Sequence, residues 1–397
     1  MLALAILGVL LFAEIASAQG ILTDPLINPG FDHFYNLEFT EAIAEFRKQL
    51  AAAPDSPEAH NHLAQSILYR ELYKTGALES ELVTGNNPFV RRADVNPSAE
   101  EQREFDQLIS QSIQLAEKKI DANPRDKEAY YALGVARGLR SNYLFLIRKS
   151  WIDALRDASA ARKAHEKATD IDPDFIDARL TQGVYAYLVG NLSFMYRIMG
   201  FIGGFRGDKE GGIRILEKVY NEGRRNSLDA GILLAAIYRR ERRPREAIPL
   251  VETMIAACPR NYIFRMELAQ MYGDAGDKES ALGEFRAVDE LRRKGAPGFA
   301  HLTEEQLRYS RGNLLFWYGD TDRALVDMKA ATSHPDRLDL NTSVLAWMRL
   351  GQLYDLKGQR KDAQSAYRQA IAAAPQAGAA KEAKKYLSRP YKRSSKG

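Results

Sequence analysis

The sequence predicts an all-α chain, an α-solenoid of about eight stacked antiparallel helix pairs. Three observations predict it. Leu234, Ala235, Tyr238 and Ala247 recur as Leu268, Ala269, Tyr272 and Ala281, each matched pair 34 residues apart. A period in that range marks supersecondary units that stack, because one helix pair cannot bury its apolar face alone. Within each period, small and large apolar residues fall at helical spacing on two consecutive segments. Proline closes the unit, where its ring and its missing N–H stop a helix.

The last period shows the unit most clearly. Trp347, Leu350, Gly351 and Tyr354 are followed by Gly358, Ala363, Tyr367, Ala370 and Pro375. The first four place one face of a first helix against its neighbour. Gly358 permits a tight turn, and Ala363 is small enough for two helices to approach closely. Pro375 ends the second helix. This order resembles the tetratricopeptide repeat. The resemblance implies a right-handed superhelix and a scaffold that binds protein or peptide, with no catalytic residues and no cofactor.

Traced outward, the register assigns the remaining elements. Ala42, Phe46 and Pro54 mark the first second-helix, and Leu63, Ala64 and Ile67 open the next pair, which Pro124 closes after an interruption. Leu133, Gly134 and Pro173 bracket a third pair. Gly183, Gly207, Asp208, Gly212 and Ile213 mark a fourth, and the clean 34-residue match supplies the fifth and sixth. Gly312, Gly319, Asp320 and Ala324 mark the seventh. The repeats thus run over residues 31–377, after an extended segment at 19–30. A polar capping helix follows at 378–388, as the open end of a solenoid needs, and a basic disordered tail at 389–397.

Composition agrees. Hydrophobic residues make up 45% and charged residues 27% of 397, the balance of a folded soluble chain. A net charge of +4 is small for this length, and no nucleic-acid motif is present, so no nucleic-acid partner is expected. Leu2 to Ala13 is an apolar run too short to span a bilayer. Ala16, Ser17 and Ala18 follow as a small-residue cleavage site. Residues 1–18 therefore read as an export signal, although no Lys or Arg precedes the apolar run. No later run reaches about 18 apolar residues, so no transmembrane helix is expected. Cys258 is the single cysteine, which excludes an internal disulfide. An exported repeat protein almost free of cysteine reads as a bacterial periplasmic or cell-envelope protein.

Chemistry-bearing patterns are few. His60 and His62 are two apart on a helix and point to different faces, so no metal site is expected. Asp170, Asp172 and Asp174 alternate like a calcium loop, but Phe175 stands where that loop needs glycine. Gly203, Gly204, Gly207, Gly211 and Gly212 lack the Gly-Lys-Ser/Thr ending of a phosphate loop. No cofactor is implied.

Three insertions interrupt the repeats, near 73–100, 141–155 and 190–206. The first is rich in turn residues, including Gly85, Asn86, Asn87 and Pro88. The second and third carry apolar hairpins, at 142–151 and 191–205, with Phe145, Trp151, Phe194, Met195, Phe201 and Phe205 prominent. They occupy the same place in successive repeats. Two outcomes stay open: the hairpins bury one another, or they stay exposed and meet a partner or a membrane surface, as Arg148, Lys149 and Arg197 among them suit.

The resemblance also implies a concave groove lined by first-helix residues. It maps onto Tyr131, Val135, Leu180, Val184, Tyr187, Ile232, Arg239, Met266 and Gln270. Its apolar middle suits an amphipathic helix or an extended apolar peptide. The clamp that some members use for acidic tails needs lysine, arginine and asparagine there, and only Asn61 and Arg239 offer such types. The groove is either open or filled by the chain's own segments. The expected function is an exported scaffold for protein–protein interaction in the cell envelope. The alternative is a peripheral membrane or lipid-associated protein that docks through the two hairpins.

Overall fold

The computed structural model describes residues 24–74, 76, 78, 96–190 and 208–393. Every regular element among them is helical. The described residues fall into two compact units. One takes in those up to Arg70, those of Asn96–Ile237, and Thr253–Pro259; the other takes in those of Glu71–Val95, Tyr238–Glu252 and Arg260–Gly397.

The first unit holds α1 (Pro29–Tyr35), α2 (Phe39–Ala52), most of α3 (Pro57–Lys74), α4 (Ala99–Ala122), α5 (Lys127–Leu146), α6 (Trp151–Ile171), α7 (Leu180–Gly190) and α8 (Lys209–Glu222). Helices α9 (Ser227–Arg240) and α10 (Pro244–Ala257) contribute residues to both. The second unit continues with α11 (Tyr262–Asp274), α12 (Lys278–Arg293), α13 (Glu304–Trp317), α14 (Thr321–Ala331), α15 (Leu340–Leu356), α16 (Arg360–Ala373) and α17 (Gly378–Ser388). Within each unit the helices pack in consecutive pairs: α1 on α2, α5 on α6 and α7 on α8, then α11 on α12, α13 on α14 and α15 on α16. This is the all-α, paired-helix architecture of an α-solenoid.

Short-range chemistry sets the helix ends. Five second helices end two residues before a proline: α2 at Ala52, α4 at Ala122, α6 at Ile171, α10 at Ala257 and α16 at Ala373. The residue before proline is driven out of the helical region. Ala53, Asn123, Asp172 and Ala374 accordingly have φ between −136° and −152°. At the other end, side chains satisfy free N–H groups. Ser98 and Glu101 form a reciprocal capping box on α4, and Asp126, Asp208, Asn261, Asp277, Thr303 and Asp339 cap single helices.

The turn between first and second helix repeats a left-handed residue two positions before the second helix starts. Gly276, Gly319 and Gly358 fill it with φ of 87°, 78° and 72°. Leu37 and Arg242 hold the same place before α2 and α10 with φ of 65° and 58°, a conformation costly to a residue with a Cβ.

Close helix approach relies on small residues. An added Cβ at Gly351 would sit 2.5 Å from the ring of Tyr367, itself wholly buried with Ala363 and Ala370. Gly134 of α5 lies directly against His165 of α6 in the same manner. Buried carboxylates tie two of the pairs. Asp157 of α6 accepts from Arg140 at 2.6 Å through both oxygens and from Arg137 at 3.3 Å. Asp327 of α14 accepts from Arg311 at 2.6 and 2.7 Å and from Arg308 at 3.1 Å. The same Arg-x-x-Arg device thus occurs once in each unit.

Three boundaries differ from the sequence expectation. The described part of the segment expected to be extended, residues 24–30, is helical, with a 3-10 turn at Asp24–Ile27 and α1 from Pro29; Asn28 caps α1 by accepting from the Gly30 N–H at 2.9 Å. The insertion near 141–155 is a prolongation of α5 and α6, joined by a short turn in which Lys149 takes φ of 55°. The tail is not free throughout, because Tyr391 and Arg393 dock on the second unit. The stretch at 191–205 and most of that at 73–100 lie outside the described residues.

Candidate protein-interaction surfaces

The groove residues of the first unit are largely covered. Tyr131 on α5 is buried: its ring lies 5.3 Å from His165 and 5.1 Å from Phe175, and the Arg225 guanidinium sits 5.4 Å above it. The Asn226 amide donates to the Tyr131 hydroxyl at 2.9 Å. Asp177 accepts the backbone N–H groups of Arg225 and Asn226 at 2.9 Å each and so fixes the entry to α9. Arg225 also pairs with Glu128 at 2.7 Å and with Glu58 of α3 at 3.8 Å. Val135 packs against the Tyr131–Phe175 cluster. Leu180 and Val184 are half-buried and Tyr187 is buried on α7. Ile232 on α9 is exposed.

Helices α1 and α3 reach this same region. Asn61 of α3 donates to the Ala132 carbonyl at 2.9 Å and accepts from Ser112 at 2.7 Å. Tyr35 of α1 shares a hydrogen bond with Asp229 of α9, whose carboxyl is pushed up to about 6 by burial. Burial likewise raises the Tyr69 hydroxyl.

In the second unit, Arg239 is a structural tie. Its side chain is 9% exposed. It donates to Asp274 at 2.7 Å, to Gln270 at 2.5 Å and to Glu267 at 3.3 Å, joining the end of α9 to α11. Met266 is buried and Gln270 half-buried. The Tyr73 hydroxyl at the end of α3 meets the Tyr262 hydroxyl at 3.0 Å. Of the nine groove positions, only Ile232 is exposed, and at 37% it too is partly covered.

The second pair of expected contact residues is brought together. Phe145, near the end of α5, and Trp151, the first residue of α6, meet edge to face with centroids 4.5 Å apart. Trp151 stays 38% exposed, and beside it Ile152 and Leu155 are 76% and 69% exposed. Arg148 leans on Tyr143 and pairs with Asp106 at 2.5 Å, which anchors the turn to α4. The turn end of the α5–α6 pair thus presents exposed apolar side chains, with Asp153 and Arg156 beside them. Phe194, Met195, Phe201 and Phe205 lie outside the described residues. Ile152 and Leu155 were not singled out in the sequence, although their i, i+3 spacing on one helix face was a signal for them.

Among the described residues, no group of three or more His, Cys, Asp or Glu side chains stands together as a metal site, and no helix is long and apolar enough to cross a membrane. Cys258 is wholly buried.

Tetratricopeptide-repeat family models match residues 232–296 and 344–377. No curated protein matches the chain. Among solved structures, the chain is similar to yeast Tom70, with a TM-score of 0.42 and 12% identity over 92% of this chain and 88% of that one. It is similar also to the human IFIT1 dimer with m7Gppp-AAAA, with a TM-score of 0.36 and 16% identity over 85% and 68%. The two matched segments hold the 34-residue spacing and the Gly351–Tyr367 packing, and repeats of this kind mediate protein–protein interaction. Over residues 232–296 and 344–377 the chain carries tetratricopeptide repeats.

Proposed function

We propose that the chain is an exported scaffold of the bacterial cell envelope that holds a protein partner at the far end of the α5–α6 pair. The observation that carries this reading is the exposure of Ile152 and Leu155 beside Trp151. Apolar side chains grouped on a protruding helix end are costly to leave in water and mark contact sites. The stem beneath them is held by the Asp157–Arg140 pair and the Arg148–Asp106 pair, so the surface is presented without an ordering cost. Export rests on the apolar run from Leu2 to Ala13 and the small residues at 16–18.

The test places a photo-crosslinking residue at Ile152 in cells that carry the natural protein. A crosslink to a discrete second protein in the envelope fraction is expected, with a mature N-terminus at Gln19. Crosslinks that are absent, together with an uncleaved chain in the cytosol, would overturn the reading. A second reading, attachment to a membrane surface, is favoured by Trp151 in particular, since an indole at an exposed apolar edge suits the headgroup region. It predicts crosslinks to lipid instead, and flotation of the purified protein with anionic vesicles that Ile152→Asp abolishes.

A further inference from the structure

The C-terminal residues beyond α17 do not leave the body of the second unit. The Tyr391 N–H donates to Asp355 Oδ2 at 2.8 Å. Asp355 is almost wholly buried; it also accepts from the Tyr367 hydroxyl at 2.8 Å and from Arg360 at 2.9 and 3.1 Å. The Tyr391 ring contacts two aromatic rings, with centroids 5.8 Å from Phe316 and 5.4 Å from Tyr386. Two residues on, the Arg393 guanidinium donates to the Phe316 carbonyl at 2.7 Å and lies 5.3 Å from the Phe316 ring. That carbonyl is in the last turn of α13, at the negative end of the helix dipole, and already accepts the Gly319 N–H at 3.0 Å; a cation is favoured there. Gly319 completes the seat, since a Cβ there would lie 2.7 Å from Arg393.

These contacts have the form of peptide recognition. A buried carboxylate reads a backbone N–H, an aromatic cradle takes a ring, and a helix C-terminus takes a guanidinium. Beside the seat, Trp317 is 67% exposed and Tyr318 is also exposed, which leaves apolar surface for a longer occupant. We propose that this seat is a peptide-binding site occupied by the chain's own tail. Its partner is an extended segment of another protein that carries an aromatic residue and, two positions later, arginine. The tail is a tethered competitor. This gives the scaffold reading a second contact site and a partner class, and it rests on that reading only in taking the partner to be a protein.

The experiment uses the full chain in two forms, natural and Tyr391→Ala/Arg393→Glu, and a fluorescein-labelled peptide with the sequence of residues 388–397. Fluorescence anisotropy should show the double variant binding the peptide at least about tenfold more tightly than the natural chain, because a short tether holds the natural tail at roughly millimolar effective concentration. A peptide with Arg393→Glu should not bind, and one with Tyr391→Phe should bind like the original, because the ring and the backbone make the contacts. Equal affinity of the two chains would overturn the proposal, as would absence of binding to a variant whose helical circular dichroism is unchanged. Should the double variant not fold, Arg393→Glu alone serves the same comparison. A negative result here leaves the Ile152 crosslink untouched, and loss of that crosslink leaves this seat untouched.

Discussion

Acid should weaken the first unit through His165. This side chain is 5% exposed, with Nδ1 2.7 Å from the Thr181 hydroxyl and Nε2 3.2 Å from the Tyr131 carbonyl. A carbonyl only accepts, so Nε2 carries the proton and Thr181 donates to Nδ1. Burial then pushes the imidazole down from 6.5 to about 4. A depressed histidine pKa means that the unfolded chain takes up the proton first. The stability is complete at neutral pH and is lost as pH falls from the unfolded value towards the folded one. At pH 5 the unfolded imidazole is almost fully charged and the folded one almost neutral, a difference of about 2 kcal/mol.

The assay is urea unfolding at pH 7 and pH 5 of the natural chain and of His165→Phe. Phenylalanine keeps a ring against Tyr131, 5.3 Å away in the natural chain, but removes the side-chain donor to the Tyr131 carbonyl and the acceptor of the Thr181 hydroxyl. The variant should therefore be weaker at pH 7, by about 1–3 kcal/mol, and the gap should close at pH 5. The informative quantity is the difference between the two losses on acidification. Asp229 works in the opposite direction. Its carboxyl is raised to about 6, so its protonation on acidification favours the fold. His62, lowered to about 4 by burial, adds to the acid loss. Both residues are present in both proteins and cancel. The natural chain should lose about 2 kcal/mol more than the variant. Equal losses would refute the argument that a buried neutral imidazole sets the acid limit.

Further outcomes follow from local geometry. Arg242 is exposed with φ of 58°, so Arg242→Gly should raise stability by about 1 kcal/mol, and Gly276→Ala at the equivalent turn should lower it by a similar amount; urea midpoints decide both. Gly351→Ala places a methyl against the ring of Tyr367 and should cost about 1–3 kcal/mol, read as a drop in thermal midpoint without loss of helical signal at 20 °C or so. Asp157→Asn leaves Arg140 and Arg137 without their shared charge and should cost about 3 kcal/mol, again by urea unfolding.

What the sequence made legible was local. Proline after five of the second helices, glycine at Gly351 and Gly358, and small residues at Ala363 and Ala370 act on neighbours within a few residues, and their placement in the helices follows from steric rules alone. The left-handed turn was legible only where glycine announced it. Leu37 and Arg242 adopt the same φ with no sequence mark, because the surrounding helix pair imposes a conformation that their own preferences oppose. The described part of the tail departs from its composition for a related reason. The composition of the tail is that of a disordered segment, yet Tyr391 and Arg393 are ordered by Asp355 and Phe316, residues 36 and 77 positions earlier.

The groove shows why periodicity finds a face without finding whether that face is open. First-helix positions such as Tyr131 and Tyr187 were assigned by register, and register says only which side of a helix they occupy. Whether that side meets water depends on chain that returns from far away. Glu58 on α3 reaches Arg225, and Arg225 in turn lies over Tyr131; no spacing rule connects residues so distant. The exposed end of α5 and α6 is the converse. There the helices run beyond the ordinary repeat length and have no neighbour among the described residues to cover Ile152 and Leu155. Insertions into a repeat therefore carry more information about contact than the repeat itself. The repeat must satisfy its own stacking first, and only residues that stacking does not use are available to anything else. By that reasoning, substituting Ile152 should change binding with little effect on stability, and substituting Tyr131 should do the reverse.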